Sequence, residues 1–333
     1  MERGIKIAIF IIQLIIILAL IIYFVRVQIR IKLLREEREE LEETVSEQKK
    51  IISYMERTLP IELYQRLEKK EGEQTKFVPT FLNSVVMDMN TLNFTEQIHS
   101  MQAKEIFAFI NHMLTKTVPF VYEKKGGVDS FYEAGFTAFF EDQYENAVIA
   151  AISISELIYK EAEQSELFEE FSIGLSYGSV LAGLAGTEER CAMITVSEYA
   201  GISSFLQSIA RKYDSRILIT GTLRGKIENF EQKFHARKIG YIYITANQSM
   251  EEIYDVFDGD PIAVRNNKKK TKIVFEKGVS YYAEQDYQKA RQYFIEVFKT
   301  NRYDKAAKEY LNRCEQNLAG GKPEECKVQI ETY

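Results

Sequence analysis

Chemistry needs side chains that ionise, ligate or attack, and this chain keeps its best candidates sparse. The histidines His99, His112 and His235 are scattered, and the cysteines Cys191, Cys314 and Cys326 are widely spaced, odd in number and without a CxxC pair. That spacing favours neither a zinc site nor a disulfide framework, and fits free thiols in a reducing compartment. GxGxxG, GxxxxGKS/T and HExxH are absent, so the dinucleotide, P-loop and zincin readings have no support. The most site-like stretch is GGVDSFYEAGFTAFF, Gly126 to Phe140. A glycine pair, alternating apolar residues and a second glycine predict a strand, a tight hairpin and a strand. Its tip reads Glu133-Ala134-Gly135.

The elements around this hairpin follow from hydrophobic period. Strand-like runs (FLNSVVMDM, FSIGLS, SVLAGLAG, RILIT, GYIYI) alternate from Phe81 onward with helix-period stretches such as KEIFAFINHMLTKT and ENAVIAAISISELIYKEA. This predicts a layered α/β domain of roughly 175 residues. The chain of 333 residues is 46% hydrophobic, enough for one sizeable core with attachments. Its net charge is −6, and the basic run Lys268 to Lys270 sits in a polar stretch. It reads as a solvated linker, and nucleic acid is not an expected partner.

Before that domain, Ile7 to Val25 is apolar apart from Gln13. As a helix it spans about 28 Å at 1.5 Å per residue, enough to cross a hydrocarbon core. The run is longer than a signal-peptide core and is followed by charge instead of a cleavage site. Arg26, Arg30, Lys32 and Arg35 follow it, against Arg3 and Lys6 before it. The expectation is a single-pass membrane protein with its C-terminal bulk in the cytoplasm. Next, Leu34, Leu41, Val45, Ile52, Met55 and Leu59 form a short heptad stripe, with Arg38 and Gln48 at off-pattern seam positions. A parallel homodimer is expected, since one anchor per chain aligns the partners, and Pro60 ends the helix.

Together the hairpin, IGLSYGSVLAGLAGTEER (Ile173 to Arg190) and MITVSEYAGISSFLQSIA (Met193 to Ala210) resemble the catalytic domain of class III adenylate and guanylate cyclases, over about Leu59 to Val256. The most specific part is Gly174, Gly178, Gly183 and Gly186 in the pattern IGxxxGxVxxGxxG. The resemblance implies an α+β, ferredoxin-like fold with a mixed, mostly antiparallel sheet. It also implies a dimer whose interface holds the active sites, and attack of a ribose 3′-hydroxyl on the α-phosphate of a nucleoside triphosphate. Two divalent ions, Mg²⁺ or Mn²⁺, would then need two converging carboxylates.

The positions that match the family's catalytic groups are degenerate. The strand the family writes D-I-x-G-F-T is NTLNFT here, with Asn90 at the first metal ligand, and the second ligand falls on Ala134. The purine-contacting positions fall on Ser130 and Ile194, the ribose-orienting position on Gly201, and the transition-state arginine on Phe205. A further family lysine falls near Thr245. Loss of a preorganised cation from such a site costs on the order of a thousandfold or more in rate. The resemblance therefore implies no catalytic residues, no metal and no cofactor. Substitute metal ligands would be Asp88, on the strand face of Asn90, and Glu133 beside Ala134, each displaced by one or two residues.

After Asp260-Pro261, Gly278, Tyr281, Ala290 and Phe294 match the spacing of one tetratricopeptide repeat, with Arg302 at its terminal proline position, and a helix from Lys305 to Leu318 follows. The alternative is a generic helical hairpin packed on the main domain. On the first reading Tyr282, Tyr287 and Tyr293 offer aromatic surface to a protein partner, and a chain without Thr271 to Tyr333 stays folded while losing that partner.

The expected organisation is an N-terminal end (1–6), transmembrane helix (7–25), coiled-coil signalling helix (26–59), connector (60–80), cyclase-like domain (81–257), basic linker (258–270), tetratricopeptide-like helices (271–318) and tail (319–333). The expected function is a membrane-anchored, dimeric pseudo-cyclase acting as a scaffold or signalling module. The alternatives are an active cyclase with a rebuilt metal site and a nucleotide sensor without turnover.

Overall fold

A computed structural model describes residues 2–58, 79–91, 94–163, 171–187, 191–244 and 248–320, in two units that part after Tyr64. The described residues of the first unit form one helix, α1 (Glu2–Thr58), which ends two residues before Pro60. Its seam residues Leu34, Leu41 and Val45 are exposed, and Arg38, in the seam, donates to Glu42 at 2.8 Å. Most side chains of the expected span Ile7–Val25 lie outside the described residues, as do those of Ile52, Met55 and Leu59. Among the described residues no helix is long and apolar enough to cross a membrane.

The second unit is built on an eight-stranded sheet. Its strands are β1 (Thr80–Thr91), β2 (Gly127–Tyr132), β3 (Gly135–Glu141), β4 (Phe171–Gly186), β5 (Cys191–Val196), β6 (Ile217–Thr220), β7 (Ala236–Ile244) and β8 (Ser249–Val256). The order is β2-β3-β1-β4-β6-β8-β7, with β5 paired to β4, and only β4 and β6 run parallel. This is the mixed, mostly antiparallel sheet that the resemblance implies. The two runs FSIGLS and SVLAGLAG form one strand, β4.

Period-2 alternation divides the apolar residues between two faces. On one face Met87 and Met89 of β1, Phe136, Ala138 and Phe140 of β3 and Leu175 of β4 are fully or almost fully buried. A turn, α2 (Phe94–Gln97), leads to the helices that cover them, α3 (Ala103–Glu123) and α4 (Tyr144–Ala162). In α3 the buried residues Phe109, Met113, Thr117 and Val121 recur every four positions, one stripe of an amphipathic helix.

The opposite face carries α5 (Glu198–Ala210), laid across β1 and β4. Two glycines of the IGxxxGxVxxGxxG run permit that approach. A Cβ on Gly174 would lie 2.0 Å from the Ser203 carbonyl oxygen, and one on Gly178 2.0 Å from the Tyr199 ring. Hydrogen bonds then fix the helix: Ser203 Oγ donates to the Val86 carbonyl at 2.8 Å, and Gln207 Nε2 to the Asn90 carbonyl at 3.0 Å. Two short helices, α6 (Gly221–Lys226) and α7 (Phe230–Lys233), connect β6 to β7.

The C-terminal helices α8 (Ile262–Ala283), α9 (Tyr287–Thr300) and α10 (Lys305–Leu318) complete this second layer. Phe275, Val279, Tyr282, Phe294, Val297 and Tyr310 share one core with Ile239, Ile242 and Ile253 of the sheet and Ile202 and Leu206 of α5. The helices are thus packed on the main domain, and two sequence expectations are corrected. Tyr282 is not partner surface: it is buried, with its ring 5.0 Å from that of Tyr310. Tyr287 packs edge-on against Tyr282, and Tyr293 stacks on Tyr281.

The second correction concerns Lys268 to Lys270, which lie inside α8 and not in a linker. Lys268 is buried, 2.9 Å from Asp255 Oδ2 and 2.7 Å from Asp260 Oδ2. Beside it the buried Arg237 of β7 reaches Asp255 at 3.2 Å and Asp304, the cap of α10, at 2.6 Å. A charge run reads as solvated from sequence because burying one cation requires partners that sequence spacing does not reveal.

Candidate functional site

The end of β1 and the tip of the β2–β3 hairpin meet, as the resemblance requires. Register does this: Met89 pairs with Phe136 and Asp88 with Thr137, which brings the turn beside Asn90. The turn is tight, with Glu133 in the left-handed region at φ 51°. Gly135 lies so close to β1 that a Cβ there would stand 2.1 Å from the Met89 carbonyl oxygen.

The side chains at this junction satisfy one another. Asn90 Nδ2 donates to Glu133 Oε2 at 3.0 Å, and Asn90 Oδ1 accepts the Thr91 amide at 2.8 Å. Ala134 has no exposed surface and belongs to the apolar core of the α3–α4 face. Ala134, where the resemblance implies a second metal ligand, is therefore a core methyl, and the neighbouring Glu133 carboxylate is bonded to an amide.

Asp88 lies behind this pair, 4% exposed. Thr137 Oγ1 donates to its Oδ2 at 3.3 Å, while Oδ1 is buried without a hydrogen-bond partner among the described residues and the Tyr132 hydroxyl donates to the Phe136 carbonyl at 3.5 Å. Burial is the largest influence and raises its pKa from 3.8 to about 6. Burial and the adjacent Asp88 charge likewise push the Tyr132 phenol well above its ordinary 10.

Mg²⁺ or Mn²⁺ needs ionised oxygens converging in a solvated, near-octahedral arrangement. An amide at 90, a methyl at 134, a buried carboxyl titrating near 6 and a Glu133 carboxylate held by Asn90 do not fit that requirement. Among the described residues no group of three or more His, Cys, Asp or Glu is placed to hold a metal.

The other positions that the resemblance implies lie on other elements. Ser130 of β2 and Ile194 of β5 are both exposed. Their sequence neighbours are joined, since Thr195 Oγ1 donates to Asp129 Oδ1 at 2.6 Å. Gly201 lies in α5, and Phe205, on the same helix, packs half-buried against the second core. An aliphatic chain and a packed ring offer a triphosphate no charge and no directed hydrogen bond. Thr245 lies outside the described residues. Sequence reading missed the Asn90–Glu133 and Asp129–Thr195 bonds; the first could have been found by placing the tip against β1 through the Asp88–Thr137 register.

Asp88 carries a prediction. Its folded pKa is raised, so its contribution to stability is fully present below pH 3.8 and is lost as the pH rises through about 6. Asp88→Asn, which keeps the oxygen that accepts from Thr137, is expected to stabilise the protein at pH 8 by about 1–3 kcal/mol. The two proteins should converge near pH 4, and urea melts across that range test both statements.

No family model matches the chain. It is 24% identical over 274 residues, 80% of its length, to the terminal-differentiation-specific adenylate cyclase of Dictyostelium discoideum, but that match spans only 13% of the Dictyostelium protein. It is 27% identical over 166 residues to an uncharacterised protein of Mycobacterium tuberculosis, covering 48% of this chain and 29% of the other. Among solved structures, a bacterial light-regulated adenylyl cyclase superposes with a TM-score of 0.58 at 15% identity, over 67% of this chain and 65% of that one. The chain therefore has a cyclase-like fold, like that of this adenylyl cyclase.

Proposed function

We propose that the protein is a catalytically degenerate member of the cyclase-like group, working as a dimeric, membrane-anchored binding or signalling body. The observation that carries the first part is the Asn90–Glu133 hydrogen bond beside the buried Ala134 methyl. Where two ions would be held, the chain has closed the junction with its own side chains. Phe205 and Ile194 extend the same reading to the transition-state and purine positions.

Two exposed surfaces support self-association. Along α1 the row Leu34, Leu41 and Val45 is uncovered, as a parallel coiled-coil seam is in a single chain. In the second unit Phe81, Leu181 and Val196 sit in register across β1, β4 and β5, with Phe81 74% and Val196 61% exposed. Such an uncovered apolar row is a place for another surface. Anchoring rests on the apolar run Ile7–Val25 and the cations that follow it. The C-terminal helices serve this body first as core, so recruitment of a protein partner falls to their outer faces.

The whole chain, supplied with ATP or GTP and Mg²⁺ or Mn²⁺, is expected to form no cyclic AMP or cyclic GMP. Asn90→Asp with Ala134→Asp should remain inactive, since the purine and phosphate contacts are still missing. It should also be less stable, because the second change puts a carboxylate into an apolar core. Metal-dependent cyclic nucleotide formation by the unmodified chain would overturn the proposal.

A further inference from the structure

At the opposite edge of the sheet from the hairpin, a groove of about 480 Å³ opens between β7–β8, the α6–α7 turns and helix α8. Four cations line it, Arg224, Lys238, Lys272 and Lys277, against two carboxylates, Glu231 and Glu276. With Glu252, whose carboxylate lies 3.4 Å from Lys238 Nζ, counted against them, the site keeps one positive charge in excess.

The position of Glu231 shows what the groove can hold. One carboxylate oxygen accepts from Arg224 Nη2 at 2.6 Å and Nε at 3.2 Å, a two-pronged guanidinium contact. The other oxygen lies 3.5 Å from Lys272 Nζ. The Arg224 guanidinium also lies over the Tyr254 ring, 4.8 Å from its centroid, a second contact that restrains it before anything binds. Glu231 is half-exposed, with 49% of its side chain accessible, and can withdraw into solvent at little cost. Beyond it Lys277 is exposed and makes no ion pair among the described residues, and the Ser280 hydroxyl stands on the same wall.

We infer that this groove is a binding site for a soluble ligand carrying a phosphoryl group, a phosphate monoester or a diphosphate. The ligand's oxygens take the place of the Glu231 carboxylate between Arg224 and Lys272 and reach Lys277. Arginine in a fixed fork with two lysines matches a multiply charged, multi-oxygen anion better than a single carboxylate. The site lies on elements that the degenerate hairpin does not use, so the inference stands whether or not that hairpin is inactive.

The test is calorimetric titration of the full chain with inorganic pyrophosphate at constant ionic strength. Saturable binding is expected, weakened about tenfold or more by Lys272→Gln and measurably by Lys277→Gln. Glu231→Gln should tighten it several-fold, because Arg224 no longer serves an internal anion and Lys272 keeps only Glu276, at 3.1 Å. Lys277 has no structural partner among the described residues, so its variant keeps the test valid if the Lys272 variant folds poorly. Absence of saturable binding overturns the inference, as does binding unaffected by the Lys277 and Glu231 changes. So does capture of the chain by phosphatidylserine vesicles, lost on Lys277→Gln, in the absence of pyrophosphate binding, which would make the groove a lipid contact.

Discussion

A chain ending at Lys270 is expected to be insoluble, or soluble only as an aggregate without a cooperative thermal transition. The cut removes Phe275, Val279, Tyr282, Phe294, Val297 and Tyr310, all 0–3% exposed in the intact protein. Each contributes about 1.5–3 kcal/mol by leaving water, so their combined loss exceeds the net stability of a typical domain. The surface left behind is Ile239, Ile242, Ile253 and Leu206, a continuous apolar face of sheet and helix. A bare face of that kind associates nonspecifically. Size-exclusion chromatography and a circular-dichroism melt decide the matter. A monodisperse truncated chain that unfolds cooperatively would mean the helices are an accessory after all.

The second large effect is expected at Arg237. Its side chain is 1% exposed, bonded to Asp255 and Asp304 and stacked over the Phe275 ring at 4.4 Å. Arg237→Met preserves volume but leaves those two carboxylates with Lys268, whose ammonium already serves Asp255 and Asp260. Removing one member of a buried ionic group costs about 3–5 kcal/mol, a fall of roughly 10 °C in Tm for a unit of this size. Lys305→Ala removes an exposed pair with Asp214 and should cost under about 1 kcal/mol.

The acid limb of the stability curve provides an independent check. Desolvation raises the pKa of Asp304, but the Arg237 charge and hydrogen bonds override it and hold the carboxyl below its ordinary 3.8. Its contribution is therefore present above pH 3.8 and lost as the pH falls through the depressed value. Arg237→Met should flatten that limb. An unchanged urea midpoint at pH 7 and an unchanged acid limb would show that the network carries no net stability.

Most of the framework was legible because it rests on local pattern. Period-2 runs marked the strands, helical period marked α3 and α4, and the glycine-punctuated hairpin from Gly126 to Phe140 is β2–β3. The residue types at 90 and 134, where the resemblance implies metal ligands, were equally plain, since a residue's chemistry can be read without its neighbours. What those side chains do instead was not legible. Asn90 and Glu133 are 43 residues apart, and only strand register makes them partners.

By itself, then, the sequence determined the strands and helices, the kind of domain they build and the residue types at the positions that the resemblance implies. Periodicity and side-chain chemistry are local properties, and the chain states them directly. Tertiary structure decided that the C-terminal helices are half of a core, that Tyr282 and Lys268 are interior and that Asp88 is buried enough to titrate near 6. It also decided that Arg224, Lys272 and Lys277, drawn from α6 and α8, face one groove. The reason is physical: burial, electrostatic shift and convergence depend on packing between residues far apart in the chain, and that packing exists only once the sheet has aligned them.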